Sequence, residues 1–247
     1  MTTGPNSGPF TVRDLDGSTW DAFAELVERN GGIFGGCWCM AYHPECAQTS
    51  GAHRPAKEAR VRGDRAHAAV VFDGAGLAQG WCQWGDPDEL SRIKHRRVYD
   101  KETPPVPDWR ITCFYVDTKH RGLGIARVAL GGAIEQIARR GGGLVEAIPE
   151  ITAGREAQGR FLYSATVELF EDHGFQRVRQ VGKHAWIVSR HIQRQQSLPT
   201  TSIATSPTER FGSRQWPAQH HRDRSGLPVP NASTHAVTPI DASAAQC

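Results

Sequence analysis

The run Val116-Asp117-Thr118-Lys119-His120-Arg121-Gly122-Leu123-Gly124-Ile125-Ala126 joins two apolar stretches of different period. Before it, Trp109 to Val116 carries apolar residues on both faces, the pattern of a central strand. After it, Ala126, Ala129, Leu130, Ala133, Ile134 and Ile137 recur at helical spacing, and Arg139-Arg140-Gly141 ends them. The junction therefore reads strand, tight turn, helix. Gly122 and Gly124 allow backbone angles that a Cβ resists, so successive amides can converge on an anion at the positive end of the helix. A diphosphate suits such a turn. The spacing is neither G-x-G-x-x-G nor G-x-x-x-x-G-K-[ST], which argues against a dinucleotide site and a nucleotide triphosphatase.

The rest of the chain supplies a sheet for this junction. Phe10 to Arg13 reads as a first strand, and Asp16, Ser18 or Thr19 caps a helix through Trp20, Phe23, Ala24, Leu26 and Val27 that Asn30-Gly31-Gly32 stops. Ile33 to His43 is aromatic and glycine-rich, the composition of a tightly packed segment or a pocket wall, and residues 53–66 read as a charged helix of surface cover. Residues 68–72 and 77–84 form a hairpin across Asp73-Gly74-Ala75-Gly76. A turn and short helix follow at Gly85 to Leu90, and Pro104, Pro105 and Pro107 mark a loop. Leu144 to Pro149 is the next strand; then come a glycine-flanked loop, a helix over Thr166, Leu169 and Phe170, and a hairpin of 176–181 with 184–188. This alternation predicts an α/β (α+β) domain with a mixed sheet and helices on both faces.

Composition limits the partners. Of 247 residues, 29 are basic and 26 acidic, a formal charge of +3 that is too balanced to imply nucleic acid. Lys94, His95, Arg96 and Arg97 read as a solvated helix face or a rim on the side of the anion-binding turn rather than a DNA reader. No apolar run approaches the roughly 20 residues that span a bilayer, and no basic segment leads into a hydrophobic signal, so no membrane partner and a cytoplasmic location are expected. Six cysteines in a chain of this length do not form a secreted disulfide framework. Cys37, Cys39, His43 and Cys46 lack usual zinc-ligand spacing and read as buried thiols and a packing residue, with no metal. From 195 to 247 the chain is rich in Ser, Thr, Pro, Gln, His and Ala without periodicity, predicting a disordered tail behind a folded domain of residues 1–194.

The order Arg121-x-x-Gly124-x-Ala126 after an apolar strand ending in Val-Asp resembles the acetyl-coenzyme A signature of the GNAT superfamily of N-acetyltransferases. The resemblance covers roughly residues 66–189, and the sets Gly80 to Gly85, Trp109 to Ile111, Gly141 to Ala147 and Cys37 to Met40 look like one uncharacterised bacterial subgroup. It implies a mostly antiparallel sheet with one splayed strand pair and a β-bulge near it. It also implies acetyl-coenzyme A as acyl donor. The pantetheine arm would lie along Phe114, Tyr115 and Val116, and the diphosphate on Arg121, Gly122, Leu123, Gly124, Ile125 and Ala126. The acceptor would be a small-molecule amine, and a homodimer is allowed.

Acyl transfer to an amine needs a neutral nitrogen, a polarised carbonyl and a proton for the leaving thiol. A backbone amide near Tyr115 or Val116 can polarise the carbonyl. The tyrosine that family members place five residues before the Gly-Phe phenylalanine is Phe170 here, so Tyr163 or a water takes the acid role. Glu146 is the expected base, because alternation between Val145 and Ala147 aims it into the cleft; Glu89 and His43 are runners-up, and Asp117 fixes the turn. Trp38, Tyr42, Trp81 and Trp84 read either as core or as an aromatic acceptor wall. A sensor or interaction module that binds acyl-coenzyme A without turnover is the alternative function.

Overall fold

Alternating apolar segments assemble into one seven-stranded sheet in the computed structural model, which describes residues 10–33, 35–102, 105–152 and 162–195. Phe34, Pro104, the middle of the glycine-flanked loop and the expected tail beyond Gln195 lie outside the described residues. In chain order the elements are β1 (Thr11–Asp14), α1 (Trp20–Arg29), α2 (His53–Arg62), β2 (His67–Phe72), β3 (Ala78–Gly85), α3 (Arg96–Tyr99) and β4 (Trp109–Val116). There follow α4 (Ile125–Arg139), β5 (Gly143–Ala147), α5 (Val167–Glu171), β6 (Gln176–Gln180) and β7 (Trp186–Ile192). The strand order is β1-β2-β3-β4-β5-β7-β6, and every neighbouring pair is antiparallel except β4 with β5.

Both faces of this sheet are covered, which is why β2 and β3 are buried at every position. On one face α1 and α2 enclose Trp20, Phe23, Leu26, Trp38, Trp81 and Tyr115. On the other, α4 and α5 enclose Phe114, Leu130, Ile137, Val145, Phe170 and Phe175. Burying each such side chain contributes about 1.5–3 kcal/mol. Gly80 sets how close α4 comes to the sheet: a Cβ there would meet the Tyr115 carbonyl oxygen at 2.6 Å and Ile125 Cγ2 at 2.8 Å. That close approach seats the first turn of α4 against the end of β4.

Two irregularities of β4 prepare the site. Cys82 pairs with Phe114 and Trp84 with Ile111, so the single residue Gln83 faces both Thr112 and Cys113, a β-bulge on β4. On the other edge, pairing with β5 ends at Ile111 and Ala147, while β4 continues to Val116. The strands part there, and the Phe114 amide instead donates to the Tyr163 carbonyl at 2.6 Å.

Two sequence expectations change. The helix at 53–66 runs from His53 to Arg62 and is more than surface cover, because His53, Lys57, Arg60 and Val61 form a buried stripe against the α1 core. No common aromatic wall forms either: Trp38 and Trp81 belong to the α1 core, whereas Trp84 lies in the α4 core across the sheet. The bulge at 112–113 separates the two faces of β4 without breaking them, so Ile111 and Phe114 share one core and Cys113 and Tyr115 the other.

Candidate active site

The turn after β4 is pinned from its first residue. The Asp117 carboxylate accepts from the Lys119 amide at 2.9 Å, Asn30 Nδ2 at 3.1 Å and Arg29 Nε at 3.2 Å. Burial opposes ionisation, but these hydrogen bonds outweigh it and lower the pKa to about 2. Asp117 is thus an ionised anchor tying the turn to the end of α1. A short 3₁₀ turn, Thr118–His120, leads to Gly122 and Gly124 at φ of 80° and 79°, the left-handed region where a Cβ is strained. Nothing lies within 4 Å of where a Cβ would stand on either residue. Gly124 caps α4, whose first-turn amides at Ile125 and Ala126 have no intrahelical acceptor and lie at the positive helix end. Leu123 projects into solvent, while Ile125 is buried beneath.

The same strand end offers backbone donors. The Asp117 amide bonds the Gln79 carbonyl of β3 at 2.8 Å, so alternation turns the amides of Val116 and Phe114 to the edge that faces away from β3. Tyr163 takes the Phe114 amide. Along that edge, the amide beyond it is Val116's, next to the glycine turn.

Where β4 and β5 part, a small recess opens on the α1 side of the sheet, its walls including Tyr42, Arg92, Lys94, Arg110, Thr112 and Glu146. Glu146 stands opposite Arg110 in the parallel ladder and is 5% exposed. Its Oε2 accepts from Tyr99 Oη at 3.0 Å, and its Oε1 lies 3.8 Å from Arg110 Nε. Burial pushes its pKa above the usual carboxylate range against the pull of Tyr99 and Arg110. Arg110 is itself fixed by a bond to the Leu90 carbonyl at 2.9 Å. Lys94 pairs with Glu150 and reaches Ser164 Oγ at 3.2 Å, with its ammonium 5.2 Å from the Tyr163 ring centre. The Tyr163 hydroxyl lies beside Tyr42, and burial raises its pKa, keeping it protonated at neutral pH.

The runners-up are occupied elsewhere. Glu89 binds the His67 ring at 2.6 Å and the His67 amide at 3.1 Å. His43 is fully buried; its Nδ1 donates to the Glu89 carbonyl at 3.0 Å and its Nε2 accepts from Lys57 at 3.1 Å. Burial and the neighbouring Lys57 drive its pKa far down, so the ring stays neutral. Phe170 is fully buried, its ring edge-on to Phe114 and Phe175.

Tyr99, Arg110 and Thr112 are site residues that the sequence does not announce, and a further buried polar group lies on α2. Lys57 is 1% exposed and donates to His43 and Gln83; nearby, Cys39 Sγ and Cys113 Sγ approach to 3.1 Å. The spacing of His53, Lys57, Arg60 and Val61 on one helical face is the available signal for Lys57. Cys37, Cys39, Cys82 and Cys113 are free thiols, and among the described residues no group of three or more His, Cys, Asp or Glu side chains could hold a metal ion. Nor is any described helix long and apolar enough to cross a membrane.

No family model matches the sequence, and no curated protein does. Among solved structures, the chain is similar to one from Corynebacterium glutamicum titled histone acetyltransferase HPA2 and related acetyltransferase, with 16% identity over 78% of this chain and 99% of that one and a TM-score of 0.46. It is also similar to a GNAT superfamily phosphinothricin acetyltransferase from Sinorhizobium meliloti in complex with acetyl-coenzyme A, with 14% identity, 80% and 97% coverage, and a TM-score of 0.43. A third is an N-acetyltransferase from Staphylococcus aureus, with 15% identity, 76% and 100% coverage, and a TM-score of 0.42. These likenesses are too distant to carry over an activity or a substrate. The chain's own architecture is GNAT-like: a mixed, mostly antiparallel sheet, one parallel pair that parts, and helices on both faces.

Proposed function

We propose that this chain is a coenzyme A-dependent N-acetyltransferase acting on a small-molecule amine. The observation that carries the reading is the open glycine turn at the start of α4, set directly after the strand whose other edge parts from β5 beside Glu146. The residues fit a coenzyme, since Gly122 and Gly124 leave room for an anion where helix amides lack acceptors. Arg121, Gly122, Leu123, Gly124, Ile125 and Ala126 would hold its diphosphate, and Phe114, Tyr115 and Val116 would flank its pantetheine arm. When bound, the coenzyme supplies a thioester-activated acetyl group.

The protein's share of the chemistry is binding and proton handling. Glu146 takes a proton from the acceptor nitrogen, and its raised pKa makes it a better base than an exposed carboxylate while Arg110 and Tyr99 fix its orientation. Tyr163 gives a proton from its hydroxyl as the thiol departs, a role its protonated state permits. On this reading the acetyltransferase domain is residues 1–194.

The test is free thiol release from acetyl-coenzyme A by the full chain against primary amines, polyamines, aminoglycosides and peptides, with Glu146→Gln alongside. Amine-dependent release that falls at least a hundredfold in Glu146→Gln supports the reading. One observation favours a second reading, an acyl-coenzyme A sensor without turnover: Phe170, at the position of the expected acid, is sealed in the core. Tight coenzyme binding with no amine-dependent release would select it.

A further inference from the structure

Thr112 sits on the bulge of β4, is 8% exposed, and forms part of the recess wall with Arg110 and Glu146. Its Oγ1 is buried and has no hydrogen-bond partner among the described residues. A buried hydroxyl left unpaired is destabilising, and valine would fill the same volume without that cost. The bulge also gives Thr112 a place that a regular strand does not have. Two adjacent residues, Thr112 and Cys113, face the same side of the sheet; Cys113 enters the core and Thr112 the recess.

A primary amine held for acyl transfer has two N–H bonds and a lone pair. If Glu146 engages one N–H and a second acceptor takes the other, the lone pair is left aimed at the acyl carbon. Resting on the N-acetyltransferase reading above, we propose that Thr112 Oγ1 accepts the second N–H of the acceptor nitrogen, and that the site thereby selects primary over secondary amines. A site built to hydrogen-bond a particular N–H discriminates strongly against an analogue that lacks it, because its own buried group is then left unpaired. An N-methylated acceptor lacks that N–H.

The experiment takes the most active primary amine of the panel and its N-methyl derivative. It compares wild type, Thr112→Val and Thr112→Ser by kcat and KM for each acceptor, KM for acetyl-coenzyme A, and melting temperature. The wild type is expected to favour the primary amine by about ten- to a hundredfold in kcat/KM. Thr112→Val should lose most of that preference by slowing the primary amine alone, Thr112→Ser should keep it, and the KM for acetyl-coenzyme A should stay within twofold in both. Thr112→Val should melt at or above the wild type, since it removes an unpaired hydroxyl. A preference unchanged within twofold in Thr112→Val overturns the inference, as does a melting point several degrees below wild type, which marks a structural hydroxyl. Absence of amine-dependent release in the wild type overturns the N-acetyltransferase reading itself.

Discussion

Tyr99 Oη donates to Glu146 Oε2 across 3.0 Å, joining a short helix that precedes β4 to the buried carboxylate of β5. Burial raises the Glu146 pKa, and this hydrogen bond, with Arg110, pulls it partway back. Tyr99→Phe removes the bond while keeping the ring. The acid limb of the kcat/KM profile should then move upward by up to about one pH unit, since a hydrogen bond to a charged group contributes roughly 1.5 kcal/mol. Linkage gives the stability side its sign. A carboxyl with a raised folded pKa contributes stability that is full below the unfolded value and is lost as pH rises through the folded one. Tyr99→Phe should shift that loss to higher pH in denaturant titrations. An unmoved acid limb would remove Glu146 from the base role.

Gly124 and Gly76 separate strain from ligand binding. Both lie in the left-handed region, at φ of 79° and 80°, and neither has a neighbour within 4 Å of where a Cβ would stand. Gly124→Val and Gly76→Val should each cost about 1–2 kcal/mol in stability, from the backbone alone. Gly124→Val alone should weaken coenzyme A binding, by tenfold or more in calorimetry. Equal affinities in the two variants would move the coenzyme off this turn.

Position 170 is closed to acid catalysis. Introducing a hydroxyl with Phe170→Tyr places it in a fully apolar cluster with Phe114 and Phe175. The variant should lose about 1–3 kcal/mol of stability and gain no turnover. A rise in kcat without destabilisation would mean the hydroxyl reaches the cleft after all.

Lys57 carries its own pH signature. Burial lowers its pKa from the ordinary lysine value of 10.5, so over the window between its folded pKa and 10.5 the unfolded chain binds more protons. Stability therefore gains from this residue as pH rises toward 10.5. Lys57→Met should lose that gain, and the difference in unfolding free energy between the two proteins should shift in favour of the wild type as pH rises toward 10.5. A constant difference would mean Lys57 is not charged differently in the two states.

The parts of the fold set by period are legible in the sequence. The strand at 109–116, the glycine turn and the helix to Arg139 follow from apolar spacing and from two glycines at a junction, all local properties. Glu146 is legible as an inward residue between Val145 and Ala147, because alternation decides facing. Its partners are not. Tyr99 lies 47 residues away, and Arg110 meets it only through the parallel register of two strands separated by a helix. The bulge is invisible in β4 itself, since it exists only against β3 and follows from the count of residues between two paired positions. Lys57 reads as surface because its neighbours are charged, although its helical face is buried.

The extra residue in β4 has a consequence for how this protein can change. Because Thr112 and Cys113 share a side, shortening the strand by one there would leave Ile111 and Phe114 in one core and Tyr115 in the other. That surplus position belongs to neither core and lies at the edge of the recess. Its side chain is thus free to be retuned for a new acceptor while the packing on either side keeps its sequence, and the scaffold can hold still while its selectivity drifts.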